Sequence, residues 1–292
     1  MDTWWVGQDD EDSFGRPMWG LEDMVLLQDH RLAVAVPYFA HEDLRDRVFA
    51  AMKTYELGNK SVDCVLRRYG DLWDLPELEP DMRRLFERTR PVRPMVVDVV
   101  RRMYARAADL EMPLGQLAAG MSLVRLQNTF QAALLLVRQG LHFEAFALQR
   151  MILEQLAWAV AIHEDESESI FDVRPHKSIP SLKALFPLVG KLYGELSETA
   201  HIMPDTTLRY VSRAEDGQLF VHHRQRGLAW ADAVRLLLLV HVFAVVAEYI
   251  TRTNPVDLHA IELDVARDVW TLRVDEPAFV AAQALEAELA AL

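Results

Sequence analysis

Cysteine is almost missing from this sequence. Cys64 is the only one in 292 residues, so no intrachain disulfide and no cysteine-based zinc site can form. A lone thiol in the run VDCVLRRY reads as core filler, and a chain without disulfides suits a reducing compartment. Glycine and proline are sparse, at 12 and 13, and alternating β-branched runs are few, which points to an all-α chain. Basic residues are outnumbered 31 to 44, and the resulting net charge of −13 disfavours indiscriminate binding to nucleic acid or to anionic membrane. No Gly-rich phosphate loop, no His-Glu-x-x-His and no Gly-x-Ser-x-Gly occurs, which removes P-loop, zincin and hydrolase readings. Met1 to Asp12 is acidic and lacks the basic start and apolar centre of a secretory signal. The longest apolar stretch, Leu236 to Ala247, is bounded by Arg235 and Glu248 and falls short of the roughly twenty residues a membrane span needs, so it reads as a buried core helix. The expectation is a cytoplasmic protein with no membrane partner.

What is present is apolar content of 51%, enough for a substantial core in one large or two modest domains. Residues 1–20 hold Trp4, Trp5 and Trp19 beside the acidic cluster Asp9 to Asp12 and read as an irregular arm docked on the body or on another subunit. Residues 21–110 read as an N-terminal helical region, with helices at 21–36, 41–57 and 61–69, then a short helix, a kink at Pro91 and Pro94, and a longer helix from about Met95 to Leu110. Residues 111–255 form the expected core bundle. Its helices are 114–138, interrupted only by tolerated glycines, 142–164, two pieces within 181–200, and 228–252, which is apolar nearly all round. Residues 256–292 read as C-terminal helices packing on the bundle. Only Gly217 to Arg226 admits a short hairpin.

The run from His142 to Glu164 is the clearest amphipathic helix, and it carries charge in an odd place. Arg150 and Glu154 sit one turn apart within a mostly apolar stripe. They are either a structural ion pair locking helices together or part of a polar pocket, because charge at core-adjacent positions is costly unless partnered or used. On the later stretch LYGELSETAH, Tyr193, Ser197 and His201 recur every fourth residue and share one helix face. His201 caps carbonyls or fills a niche on one reading; facing Arg150 and Glu154, it is a general acid or base on the other. The hairpin connection predicts that Arg150, Glu154 and His201 lie in one cluster, with Tyr193 and Ser197 at its edge. A third feature lies at residues 83–106, where eight arginines face Glu87 and Asp98. The local net of +6 leaves the rest of the chain near −19. Arg84, Arg88, Arg101 and Arg102 either pair with surrounding acids or make an anion- or RNA-facing ridge.

The segments GLHFEAFALQRMILEQLAWAVAI and YGELSETAH resemble the "Gly, acidic-Ala, then Arg-x-x-x-Glu" and "Tyr-x-x-Leu-Ser-x-x-x-His" helices of uncharacterised bacterial families thought to be related to the HEPN superfamily of nucleotide-binding and RNase domains. The resemblance covers about residues 115 to 255. It implies a HEPN-like helical bundle, often a homodimer, with an RNA or nucleotide ligand and a ribonuclease role in some members. It further implies a bacterial stress or antiviral defence setting. Active HEPN RNases carry an Arg, a polar residue and a His a few positions on. Arg235 to His241 and Arg252 to His259 have that kind of spacing, the first with an apolar interior and the second with a proline.

Two other functional classes stay open. One is a non-enzymatic helical module binding a partner protein, in which the polar residues only fix helix register. The other is a metal-binding four-helix site, suggested by Glu198-x-x-His201, although no second Glu-x-x-His exists to complete a di-metal set. No resident metal or cofactor is expected.

Overall fold

The computed structural model describes residues 24–28, 32–37, 40–58, 61–70, 80–107, 112–200, 208, 210–214, 217–222, 226–252, 258–264 and 269–291. The N-terminal arm at 1–20 lies outside the described residues. The chain is mostly helical, as expected for an all-α protein, and divides into two compact units, one made of residues 18–86 and the other containing 87–292. The division falls at 86/87, so the arginine-rich stretch goes almost entirely with the larger unit.

The smaller unit opens with an antiparallel hairpin in place of the predicted helix at 21–36. Strand β1 (Met24–Gln28) pairs with β2 (Ala33–Pro37), Met24 opposite Pro37. The reason is visible in AVAVP: burial alternates residue by residue, with Val36 in and Ala35 out, which is a strand period. Helix α1 (Glu42–Glu56) follows, and its Phe49 and Met52 close a small core with Leu27 and Val36. Ser61 caps α2 (Val62–Tyr69). Cys64 at its start is exposed rather than core filler. Helix α3 (Pro80–Thr89) crosses the division between the units.

The larger unit is a bundle around one helix. Its elements are α4 (Val92–Ala107), α5 (Leu114–Arg138), α6 (His142–Ile162), the single turn α7 (Ile179–Leu182), α8 (Val189–Ala200), α9 (Ala229–Ile250) and α10 (Pro277–Ala290). Helix α9 packs against α4, α5, α6 and α10, and Leu237, Val242 and Val245 are buried. A helix apolar on every face can only sit where neighbours cover every face. Both α6 and α9 are long and apolar enough to cross a membrane by length and composition, and 83% of the α9 window is buried inside the protein.

Helices α5 and α6 form the expected antiparallel hairpin. Gly140 takes a left-handed conformation (φ 69°) and Leu141 N–H bonds back to Leu136 O, a cap that reverses the chain in three residues. At the open end of the hairpin, Gly115 N–H donates to Asp165 O at 2.9 Å, and a Cβ on Gly115 would lie 1.9 Å from Ile162 O. Gly115 is therefore required by the close approach of α5 to the end of α6 and is not merely tolerated.

Two further hairpins interrupt the helices. Strands β3 (Val211–Arg213) and β4 (Leu219–Val221) pair close to the one place where an extended segment was expected. Strands β5 (Ile261–Asp264) and β6 (Val269–Leu272) form an antiparallel ribbon at the start of the region expected to hold only C-terminal helices, and IELD alternates apolar with polar residues as a strand does. What holds this ribbon to α9 is a carboxylate. Glu248, buried on α9, accepts N–H bonds from His259, Ala260 and Ile261 at 2.7 to 3.1 Å.

Candidate polar site between helices 6 and 8

Helix α8 packs along α6 and buries its Val189 and Leu196. Three of the predicted residues, Arg150 and Glu154 on α6 and Tyr193 on α8, meet between the two helices. Arg150 Nε donates to Glu154 Oε1 at 2.9 Å, Tyr193 Oη donates to the same oxygen at 2.9 Å, and an Arg150 terminal nitrogen donates to Tyr193 Oη at 3.2 Å. The guanidinium carbon also stands 5.4 Å from the Tyr193 ring centroid, within cation–π range. Partial burial works against the Arg150 charge, but its bonds to Glu154 and Tyr193 outweigh this and raise its pKa. The side chains of Arg150 and Glu154 keep 21% and 19% of their surface, so solvent reaches the triangle. One turn along α8, Ser197 Oγ is buried and has no hydrogen-bond partner among the described residues. His201 lies outside the described residues.

Acids stand beside the arginine ridge at Arg102, Arg88 and Arg84. Arg102 forms an ion pair with Asp98 at 3.0 Å and donates to the buried Glu248 at 3.2 Å, Arg88 pairs with Glu288 on α10, and Arg84, in the smaller unit, stands 3.9 Å from Asp81. Arg101 is exposed on α4. Among the described residues, no group of three His, Cys, Asp or Glu side chains could hold a metal ion.

Three deeper polar groups escaped the sequence reading. His142 Nδ1 lies 2.7 Å from Asp232 Oδ2 with both side chains almost sealed, and Arg235 donates to the other Asp232 oxygen at 2.9 Å while lying over the Phe146 ring. Burial raises the Asp232 pKa despite both partners. His241 Nδ1 meets Glu276 Oε2 at 2.9 Å, and the same oxygen caps α10 by accepting from Ala278 and Phe279 N–H. Burial works to raise the Glu276 pKa, but these bonds outweigh it and hold the carboxyl low. Arg235 and His241 thus serve different helices, and Arg252 likewise turns away from His259. Arg252 stacks on Tyr249 at 4.1 Å, pairs with Glu164 and donates to His163 Nε2 at 2.8 Å. That fixes His163 as neutral with its proton on Nδ1, donating to Val160 O at 2.8 Å. Burial, helped by Arg252, lowers its pKa. One signal for these groups was present: Asp232 and Glu248 are the only acids in the most apolar helix, and a carboxylate there must be answered from outside it.

No family model, no curated protein and no solved structure matches this chain.

Proposed function

We propose that the protein is a HEPN-like helical binding protein of a bacterial stress or phage-defence type that engages RNA or a nucleotide at the Arg150–Glu154–Tyr193 site. The observation that carries this is the placement of a guanidinium, a carboxylate and a phenol at a solvent-reached edge of the α6–α8 interface, one turn from a buried Ser197 hydroxyl that has no hydrogen bond among the described residues. Arginine and tyrosine suit such a ligand. The guanidinium offers a planar fork to a phosphate oxygen, and the ring offers a face to a base. Glu154 holds the fork in place until a ligand competes for it. The superfamily in this reading rests on the resemblance of the two motif helices, and the site rests on the hydrogen bonds between α6 and α8.

The test is expression of Arg150→Lys and Tyr193→Phe beside the wild-type chain, reading RNA crosslinking and cleavage in cells together with the amount of folded protein. A functional site loses crosslinking at least tenfold at equal folded protein. Equal crosslinking in all three sinks the reading. A second reading has its own observation: the three groups satisfy one another, as they would in a fastener between α6 and α8 within a non-enzymatic module that binds a partner protein. Its mark is a lower melting temperature in both variants with no loss of RNA contact per folded molecule.

A further inference from the structure

Away from that site, the ends of α4 and α9 and the start of α5 enclose a cavity of about 440 Å³. Met103, Met112, Met121, Leu117 and Ile250 form its walls, and no charged side chain is among its described lining residues. Met103 and Ile250 are buried at its floor, whereas Leu117 and Met121 stand exposed at its mouth. The volume falls within the roughly 300 to 1,000 Å³ of small-molecule pockets. Thioether side chains are polarizable and adaptable, and they fit a flexible or ring-bearing guest better than a single rigid shape.

The polar groups around the cavity narrow the guest. Thr251 Oγ1 already donates to Ala247 O at 2.7 Å and accepts from Arg106 Nε at 3.1 Å. Arg106 is itself buried, 3.8 Å from Glu248, so its charge is answered and offers nothing to an anionic head group. Gln116 Nε2 is held by Ile250 O at 2.7 Å, and its carboxamide oxygen has no hydrogen bond among the described residues. We infer that this cavity binds one uncharged, apolar small molecule that carries at most one hydrogen-bond donor, which Gln116 accepts. No described lining side chain offers a cation to a fatty-acid carboxylate or a phosphate, and the depth below the exposed rim suits a molecule that enters the fold more than a flat protein face.

Gly120 supplies the test. It lines the cavity on α5, and a Cβ built there meets nothing within 4 Å, so a side chain can grow into the space without disturbing backbone. Replacing a mid-helix glycine also raises helix propensity. N-phenyl-1-naphthylamine is uncharged, apolar and bears a single N–H, and its fluorescence rises in apolar surroundings. Titrated into the full chain, it is expected to saturate at one molecule per chain and to raise the melting temperature. Gly120→Phe should weaken binding at least tenfold at unchanged helical circular dichroism, and Ala105→Trp, from the opposite wall, should do the same. Non-saturating fluorescence with the wild type overturns the inference, as does equal binding in both variants. A wild type that self-associates and becomes monomeric on Gly120→Phe also overturns it, since the patch then belongs to a second copy.

Discussion

Two sets of charges interrupt the apolar helices of this bundle, and they are held in opposite ways. On α9, Asp232 and Glu248 are almost wholly sealed, and each is answered by several donors: His142 and Arg235 for the first, three backbone N–H groups and two arginines for the second. Between α6 and α8, Arg150 and Glu154 retain a fifth of their surface and share one phenol, and one turn on, Ser197 Oγ has no hydrogen bond among the described residues. A sealed charge with many partners costs a great deal to disturb and has no access to a ligand. A half-open triangle costs little to disturb and has that access. Stability and function should therefore separate between the two sets.

The largest effect should come from the sealed set. Glu248→Ala removes the acceptor for His259, Ala260 and Ile261 N–H and leaves Arg102 and Arg106 without their shared carboxylate, so unfolding in urea should lose about 3–5 kcal/mol. A loss below about 1 kcal/mol would show that the surroundings of Glu248 relax and that the contrast drawn here is false. Next comes Gly115→Ala, which sets a methyl group against Ile162 O and Asp165 O and should cost about 1–3 kcal/mol by overpacking. Gly120→Ala in the same helix should be neutral or stabilising, because space is open there.

Much of this contrast was legible in the sequence, and the rest was hidden for physical reasons. The hairpin of α5 and α6, the all-round apolarity of α9 and the one-turn spacing of Arg150 and Glu154 follow from helical periods and a short turn, which are local signals; Tyr193, expected only at the edge of a cluster with His201, instead bonds both directly. His142 with Asp232 and His241 with Glu276 are separated by 90 and 35 residues, and nothing local names the partner. Residues 24–37 and 258–272 were read as helices because apolar residues in short strands can mimic a helical spacing. The alternating burial of Ala33–Pro37 becomes readable only once one face is known to be covered.

Titration gives a smaller, signed contrast. The folded state lowers the His163 pKa below its ordinary 6.5, so the stability this group contributes is complete above pH 6.5 and is lost as the pH falls through the lower folded value. Glu276 has the same sign in the carboxylate range: its contribution is present above 4.5 and is lost on acidification below it. Asp232 runs the other way, its pKa being raised, so its contribution is present below 3.8 and is lost as the pH rises through the folded value. The urea midpoint should fall between pH 7.5 and pH 5.5, and His163→Gln should flatten that step. A midpoint that climbs on acidification over this range would contradict the assignment of a neutral His163.

The smallest stability effect belongs to the open triangle. Tyr193→Phe keeps the ring over Arg150 and deletes only the shared hydroxyl, so it should cost less than about 1 kcal/mol.

The most direct measurement is the affinity of Arg150→Lys for a labelled single-stranded RNA, followed by fluorescence anisotropy at fixed salt, with urea unfolding of the same preparation. At least a tenfold loss of affinity is expected, with an unfolding midpoint close to that of the wild type. An unchanged affinity, or a midpoint that falls as far as in Glu248→Ala, would make Arg150, Glu154 and Tyr193 one more internal fastening and contradict the account.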